Sequence, residues 1–294
     1  MQVEEIAKDI FCLQSPVFSI YLVRGEKTAL LELGISQIIP EIIYDLENFL
    51  GVKEIDYLIS LHSHFDHLGG VTRLRKRFSQ ALLVASPITS EVFSSPATIR
   101  LYQRTMEKIN DNPLFKMVFP RSDDKVLFEK PKVDIPTRED LVLNLGQDKS
   151  LRVLNTPGHT ACSISVLEDG SRALFVSDST GAPLPSGKIW PTAFYSFTEY
   201  KDSISKIRAL NPKVIGLGHT GKIKGEEVDK YLEKSLKETD KFIEHLKELC
   251  LSLGDEEVHR RLFAEYGDDL TTYIQPNIFK YGNKEMLKQV HGVD

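Results

Sequence analysis

The chain has 294 residues, of which 41% are hydrophobic, and it carries a formal net charge of −5. This length and hydrophobic fraction suffice for one large domain with a full core, or for one domain with an appendage. The acidic balance argues against a nucleic-acid-binding surface, which is usually basic. The first residues lack the regions of a signal peptide, and no apolar run reaches the ~20 residues of a membrane span. We therefore expect a soluble, cytoplasmic protein with neither nucleic acid nor membrane as a partner.

The first part of the chain alternates strands with helices. Residues 18–23 and 28–33 are apolar runs on either side of a turn, which predicts an antiparallel hairpin. Residues 39–50 have apolar positions at helical spacing and end before Gly51, a favoured residue at helix ends. Further strands are predicted at residues 55–61 and 81–85. This order of elements is typical of an α/β fold.

Three histidines and an aspartate occur within six consecutive positions, from His62 to His67. They follow the apolar run 55–61, which predicts a buried strand, and precede apolar residues at helical spacing over 68–78. The cluster therefore lies on a loop at the carboxyl end of a strand, where open α/β sheets bind their ligands.

The spacing of this cluster favours metal binding. His62 and His64 alternate along an extended loop, so both rings project to the same side. Asp66 and His67 follow where the chain turns into the helix and therefore aim at a neighbouring point. One metal near the first pair and a second near the second pair is the simplest interpretation. Imidazole and carboxylate ligands suit zinc, iron or manganese. An ordinary polar turn is disfavoured because so many ionisable groups are costly to bury without partners.

Residues 87–140 interrupt the alternation and predict an insertion with a helix over 99–109. Several of its side chains are large and apolar, and two uses stay open for them. They either form one wall of a substrate pocket or pack the insertion onto the rest of the domain. These residues are Phe93, Tyr102, Phe115, Met117 and Phe119.

The second part of the chain predicts strands at 141–145, 150–156, 162–167, 172–177 and 214–219, with a helix over 198–210. His159, Asp178 and His219 lie directly after or at the end of three of these strands. The loop 179–197 is rich in glycine, proline and aromatic residues, which is typical of loops that carry binding residues. In this loop Tyr195 either donates a proton or a hydrogen bond to a substrate or packs as an ordinary aromatic residue.

The composition changes after Gly225. Apolar residues at near-heptad spacing over 228–253 predict a long amphipathic helix, and shorter helices are predicted at 255–266 and 283–290. The apolar seam of the long helix either docks on the rest of the chain or forms a homodimer. His245, His259 and His291 lie in this part and are interpreted as surface or structural histidines.

The motif His62-x-His64-x-Asp66-His67, with the later elements Thr156-Pro157-Gly158-His159-Thr160, Asp178 and His219, resembles the metallo-β-lactamase superfamily of dinuclear hydrolases. The resemblance implies a four-layer αβ/βα sandwich over residues 1–222 and a C-terminal helical appendage over 223–294 that caps the site or mediates dimerisation. It also implies two divalent metal ions, with zinc expected first and iron or manganese also accepted. His62, His64 and His159 would hold the first metal, and Asp66, His67 and His219 the second. Asp178 would bridge them.

The same resemblance implies a reaction. A hydroxide that bridges the two metals would attack an ester-type carbonyl, with Asp66 as the residue for proton transfer. A thioester of a small molecule is favoured because a thiolate leaves without a dedicated acid. The alternatives are hydrolysis of a lactone or of a phosphodiester at the same site. Another alternative is that the protein is a regulatory binding protein that retains the metals.

The subfamily can be narrowed only by layout. The histidine element at 156–160 is similar to that of glyoxalase II. The helical insertion together with the C-terminal helices is similar to PqsE-type thioesterase proteins, whose C-terminal helices cap the active site. Phe194 and Tyr195 in the loop 179–197 and, on this likeness, Tyr273 are the candidates for binding the substrate, and Ile274 and Phe279 could line the same pocket.

Overall fold

The computed structural model describes residues 1–267 and 276–292. The chain divides into two compact units. The first unit contains Met1–Asn155, Ile164–Ser177 and Val214–Lys222. The second unit contains Thr156–Ser163, Asp178–Lys213 and the chain from Ile223 onward. The division into domains at residue 222 stays a prediction.

The first unit contains a seven-stranded mixed sheet whose strands follow one another in chain order. Strands β1 to β4 form an antiparallel meander, and β4 to β7 run parallel. The predicted hairpin of residues 18–33 is therefore confirmed, whereas the sequence did not predict β1, in which three of the six residues are polar or acidic. The strands are β1 (Gln2–Ala7), β2 (Ile10–Gln14), β3 (Ser19–Arg24), β4 (Thr28–Leu31), β5 (Tyr57–Ile59), β6 (Leu82–Ala85) and β7 (Ile135–Pro136).

A second, six-stranded sheet has the order β15-β14-β11-β10-β9-β8. Strands β8, β9, β10 and β11 pair with one another in chain order and antiparallel, whereas β11 pairs with β14 in parallel. A separate two-stranded sheet joins β12 to β13. The strands are β8 (Val142–Gly146), β9 (Lys149–Asn155), β10 (Ile164–Glu168), β11 (Ala173–Ser177), β12 (Ala182–Pro183), β13 (Ile189–Trp190), β14 (Val214–Leu217) and β15 (Lys222–Lys224).

The core of the first unit lies on both faces of its first sheet. Strand β5 shows this directly, because Leu58 belongs to the cluster under the N-terminal helices while Tyr57 and Ile59 belong to a cluster shared with the second sheet. A strand that is covered on both faces needs apolar residues at every position. The prediction of a buried strand before the histidine cluster is confirmed.

Six helices belong to the first unit. The predicted helix over 68–78 is divided at Gly69–Gly70, where the Gly70 amide donates to the carbonyl of Gly34 at 3.0 Å rather than within the helix. Helix α5 begins at Pro96 after Ser95, whose hydroxyl accepts a hydrogen bond from the Ala97 amide. The helices are α1 (Ile39–Asn48), α2 (Phe65–Leu68), α3 (Val71–Arg77), α4 (Pro87–Val92), α5 (Pro96–Glu107) and α6 (Pro113–Val118).

The large apolar side chains of the insertion differ in how deeply they are buried. Phe93, Phe115 and Phe119 are buried in the cluster under the N-terminal helices, so these three pack the insertion onto the first unit. Met117 is 78% exposed.

The second unit is mainly helical. Helix α7 starts with the sequence Ser196-Phe-Thr-Glu199, in which the Ser196 hydroxyl accepts a hydrogen bond from the Glu199 amide. The apolar seam of the 26-residue helix α8 is buried within this unit, since Phe242 and Leu246 share a core with Trp190. Dimerisation stays a prediction. The helices are α7 (Phe197–Ala209), α8 (Glu227–Ser252), α9 (Asp255–Leu262) and α10 (Pro276–His291), with a π-helical turn at Phe263–Gly267.

Both units together give mixed sheets with flanking helices and additional C-terminal helices, the α/β class that the sequence predicts. None of the described helices is long and apolar enough to cross a membrane.

Candidate metal centre

The histidine cluster lies where β5 ends and α2 begins. Hydrogen bonds between main-chain groups fix both ends of this loop: the Ile164 amide donates to the Leu61 carbonyl, and the Leu33 amide donates to the His67 carbonyl. The Ser60 hydroxyl donates to the carbonyl of His62 at 2.6 Å. The loop that carries the candidate ligands is therefore held by β10 on one side and by the end of β4 on the other.

Asp66, His67 and His219 form a compact group in the first unit, with ligand atoms that all lie within 4.8 Å of one another. Oδ2 of Asp66 is 3.7 Å from Nε2 of His67 and 3.6 Å from Nε2 of His219. Ligand atoms ~2.0–2.1 Å from one tetrahedral zinc ion are separated by about 3.4 Å. These two distances fit a shared divalent cation.

Glu32 orients His67, and the sequence analysis missed it. Its Oε2 makes a short hydrogen bond with Nδ1 of His67, and both side chains are buried. A carboxylate on the other ring nitrogen fixes the tautomer of a metal-binding histidine and makes it a better ligand. Glu32 follows β4 with a φ of 64°, in the left-handed region. Its acidic side chain at the end of an apolar strand was the available signal.

His219 is oriented by the main chain. Its Nδ1 lies 2.8 Å from the carbonyl oxygen of Val17, so Nε2 is the nitrogen that faces Asp66. The buried Tyr21 hydroxyl donates to the carbonyls of Leu217 and Gly221, at 2.7 and 2.6 Å, and so fixes the chain on both sides of His219. Burial raises the pKa of Tyr21 well above its ordinary value, which keeps the hydroxyl protonated as a donor.

His62 and His64 lie side by side in the first unit. Nε2 of His62 is 3.1 Å from Nδ1 of His64, again a distance suited to two ligands of one cation. On its other nitrogen, Nδ1, His62 is 3.3 Å from Oγ of Ser177, the last residue of β11. Ser177 is a second residue at the centre that the sequence analysis did not identify.

The second unit brings His159 and Asp178 together. Nε2 of His159 is 3.5 Å from Oδ2 of Asp178, and its Nδ1 is 2.6 Å from the carbonyl oxygen of Thr192. The Thr192 hydroxyl donates to the Asp178 carbonyl at 2.7 Å, so one residue positions both candidates. Tyr200 lies against the same hydroxyl at 3.3 Å, and burial raises its pKa, which keeps the phenol neutral.

Gly158 gives His159 its position. It has a φ of 127°, and a Cβ atom there would lie 2.3 Å from the main chain of Tyr200. Its carbonyl oxygen accepts hydrogen bonds from the amides of Tyr195 and Ser196. No other residue type fits this contact, so the glycine of the Thr-Pro-Gly-His sequence is a requirement of the packing.

A groove of about 1290 Å³ opens in the second unit between the start of α7, α8 and the end of α10. Phe194 lies at one side of it, and its ring centre is 4.9 Å from that of His159. Tyr195 is 52% exposed in the same groove. Tyr273 and Ile274 lie outside the described residues. Phe279 is buried against Trp190, with ring centres 4.9 Å apart, and does not line this groove.

The other three histidines take no part in any group of three candidate ligands within residues 1–267 and 276–292. Nε2 of His245 lies 3.0 Å from Glu265, and Nε2 of His291 lies 3.0 Å from Asp255. Nδ1 of His259 lies 3.3 Å from the side-chain amide of Asn283.

Comparison with known proteins identifies the family of the chain. Residues 14–219 match the family model described as the metallo-β-lactamase superfamily. A metallo-β-lactamase fold-containing protein of Sulfurisphaera tokodaii is 26% identical over 75% of this chain and 79% of its own. A hydroxyacylglutathione hydrolase of Rhodopseudomonas palustris is 25% identical over 54% of this chain and 46% of its own.

The fold extends beyond the matched region. The crystal structure of a metallo-β-lactamase family protein from Thermus thermophilus superposes with a TM-score of 0.68, at 17% identity, over 98% of this chain and 95% of its own. The fold is thus the metallo-β-lactamase fold with additional C-terminal helices. The chain belongs to the metallo-β-lactamase superfamily of metal-dependent hydrolases.

Proposed function

We propose that the protein is a dinuclear metal-dependent hydrolase that cleaves a thioester of a small molecule. His62, His64, Asp66, His67, His159, Asp178 and His219 would hold two divalent cations, zinc first among them. One observation carries the proposal. Each of four imidazoles places Nδ1 against a protein hydrogen-bonding group and turns Nε2 toward another candidate ligand; they are His62, His67, His159 and His219.

Such cations, when bound, supply an acidified water molecule and polarise the carbonyl group of the substrate. The protein's own residues do the rest. Asp66 is 20% exposed and His219 17% exposed, whereas His67 is only 1% exposed. Water therefore reaches the group from the side of Asp66 and His219. Asp66 is the residue that accepts a proton from the attacking water, while buried His67 is held rigid by Glu32.

The thioester is favoured over other acyl substrates because of how easily its leaving group departs. A thiol has an ordinary pKa of ~8.5, so its thiolate departs with little help from an acid. An amine or an alkoxide demands a positioned proton donor. A relative named as a hydroxyacylglutathione hydrolase supports an acyl group carried on a thiol.

The groove in the second unit is the proposed place for the part of the substrate remote from the reacting carbonyl. Phe194 contacts the His159 ring and continues into the groove, and Tyr195 adds an exposed phenol. Farther along, the lining carries both signs of charge. It includes Lys247 and Lys288 beside Glu199 and Asp202, which suits a polar carrier group better than a long apolar chain.

The test begins with protein purified without added metal. Metal content per chain is measured together with turnover of an acyl-CoA, an S-acyl-glutathione, a lactone and bis-p-nitrophenyl phosphate. We expect about two metals per chain and preference for a thioester. Asp178→Asn is expected to lower kcat on the order of 10³-fold, as loss of a group that acts in the transition state does. His291→Gln, a histidine outside the centre, serves as the matched control and should leave both quantities unchanged.

The outcomes separate the parts of the proposal. Preference for the lactone or the phosphodiester would refute the thioester and leave the hydrolase. Two metals with no turnover of any substrate would favour a binding protein. Absence of metal after reconstitution with zinc, iron and manganese would refute the centre itself.

A further inference from the structure

Ser177 has an unusual backbone conformation at the metal centre. It is the last residue of β11, its side chain is buried, and its φ is 50°, in the left-handed region that residues with a side chain rarely adopt. The pairing of β11 with β14 shifts register between Phe175 and Ser177, so the strand leaves its regular course there.

Burial distinguishes Ser177 from most other left-handed residues. Eight non-glycine residues of the described chain have positive φ, and only Glu32 and Ser177 among them are buried. The other six are exposed or half-buried; they are Asp9, Asp140, Gln147, Asp148, Arg172 and Asn211. Both buried ones contact the same atom, Nδ1 of His67. Residues persist in such conformations where the surrounding structure holds them, and they concentrate at functional sites.

The hydroxyl of Ser177 lies between two imidazoles. Oγ is 3.3 Å from Nδ1 of His62 and 3.3 Å from Nδ1 of His67. The ring centres of these histidines are 4.1 Å apart. A hydroxyl oxygen has two lone pairs, so it can accept the N–H of His62 and share the N–H of His67 with Glu32. With the protons on Nδ1, each Nε2 carries the lone pair that a cation requires.

We propose that Ser177 is a positioning residue of the metal centre. Its left-handed backbone places the hydroxyl oxygen where it accepts a hydrogen bond from Nδ1–H of His62, which fixes that tautomer, and where it also contacts the Nδ1–H that His67 donates to Glu32. The two histidines are predicted ligands of different metals, so one side chain contacts both halves of the centre. The inference rests on the metal binding in the proposed function and not on the substrate.

The test compares Ser177→Ala with Ser177→Gly. Alanine removes the hydroxyl and keeps the strained backbone, whereas glycine removes the hydroxyl and also the strain. Zinc affinity is measured by competition with a chelator. Both variants should bind zinc about 10–100-fold more weakly, as loss of an outer-shell partner does.

Thermal unfolding of the metal-free proteins supplies the second readout. The Gly variant should have a higher Tm than the Ala variant, because only glycine adopts this φ without strain. Gln147→Gly is the matched control, since Gln147 has a φ of 52° but is exposed in the turn between β8 and β9. Gln147→Gly should also raise the Tm, and it should leave zinc affinity at the wild-type value.

A third readout is the tautomeric state of the rings, observed by ¹⁵N NMR of the metal-free protein. The wild type should show His62 with its proton on Nδ1, and Ser177→Ala should show a mixture. Wild-type zinc affinity in both Ser177 variants, or an unchanged tautomer of His62, would overturn the proposal while leaving the hydrolase intact. A wild-type protein that binds no zinc, iron or manganese would refute the metal centre, a failure that the wild-type measurement alone detects.

Discussion

Two sets of histidines in this chain differ in which partners their two ring nitrogens contact, and this difference distinguishes candidate metal ligands from surface residues. Four candidate-ligand rings, three in the first unit and one in the second, use Nδ1 to contact the protein and turn Nε2 toward another ionisable side chain. In the C-terminal helices, His245 and His291 each pair through Nε2 with one carboxylate and are 36% and 40% exposed. A histidine that is oriented through one nitrogen and faces other ligands with the second suits a metal, whereas one that pairs with a single exposed acid links two surface groups.

The strongest test of this difference is removal of a ring from the first set. His67→Ala should reduce metal content from about two per chain to about one and lower kcat on the order of 10³-fold or more. His67 is buried between Glu32 and Asp66, so no other side chain replaces it. His245→Ala is the control, and equal metal content in the two variants would contradict the distinction.

Removing the charge that orients His67 should have the next largest effect. Glu32→Gln keeps the shape of the side chain but loses the carboxylate, and zinc affinity should fall about 10–100-fold. Glu41→Gln is a fair comparison, because Glu41 is also a buried carboxylate but pairs with Arg121. Chelator competition on both variants checks the prediction, which fails if Glu41→Gln weakens zinc binding as much as Glu32→Gln.

His259 offers a pH-dependent test within the second set. Burial and the neighbouring Lys280 lower its pKa below the ordinary value of 6.5, while Glu256 opposes them. Phe263, Phe279 and Asn283 are its other neighbours. Because the folded state favours the neutral ring, His259 contributes stability above pH ~6.5 that is lost as the pH falls through 6.5 toward the folded-state pKa.

The measurement is the Tm between pH 8 and pH 5, in wild type and in His259→Gln. The wild type should lose a few degrees more than the variant over this range. An identical decline in both proteins would show that His259 does not respond to pH in the folded state. Metal binding should not differ between them at pH 8.

The smallest effect is expected for the paired surface histidines. His245→Gln and His291→Gln each remove one exposed partner of a carboxylate, which should cost less than about 1 kcal/mol of unfolding free energy. Chemical denaturation measures this cost. A change in metal content in either variant would place a ligand in the C-terminal helices and weaken the comparison.

The sequence predicted the parts of the centre that depend on local pattern. The strand before His62 and the polar loop at its carboxyl end follow from hydrophobic runs and turns, and the structure places both as expected. Glu32 and Ser177 were missed, and only Glu32, an acidic residue directly after an apolar strand, gave a local signal. Each contacts a ring more than 30 residues away in the chain, through a backbone conformation that residue type does not signal.

Helix boundaries show the same limit. The sequence placed the last helix at 283–290, whereas α10 spans Pro276–His291. The helix begins with a proline and an asparagine, which do not extend the apolar pattern, although proline is favoured at the start of a helix. The helix after the motif was predicted as continuous. The hydrogen bond from the Gly70 amide to the Gly34 carbonyl, where the helix is divided, joins residues distant in the chain and leaves no local pattern.

These four rings also differ in how a mutation can remove the group that orients each of them. His159 and His219 rest on the main-chain carbonyls of Thr192 and Val17, and a carbonyl oxygen survives any substitution at its own residue. His62 and His67 rest on the side chains of Ser177 and Glu32, either of which one codon change can abolish. After random mutagenesis, active variants should therefore carry many different substitutions at residue 17 and few at residues 32 and 177.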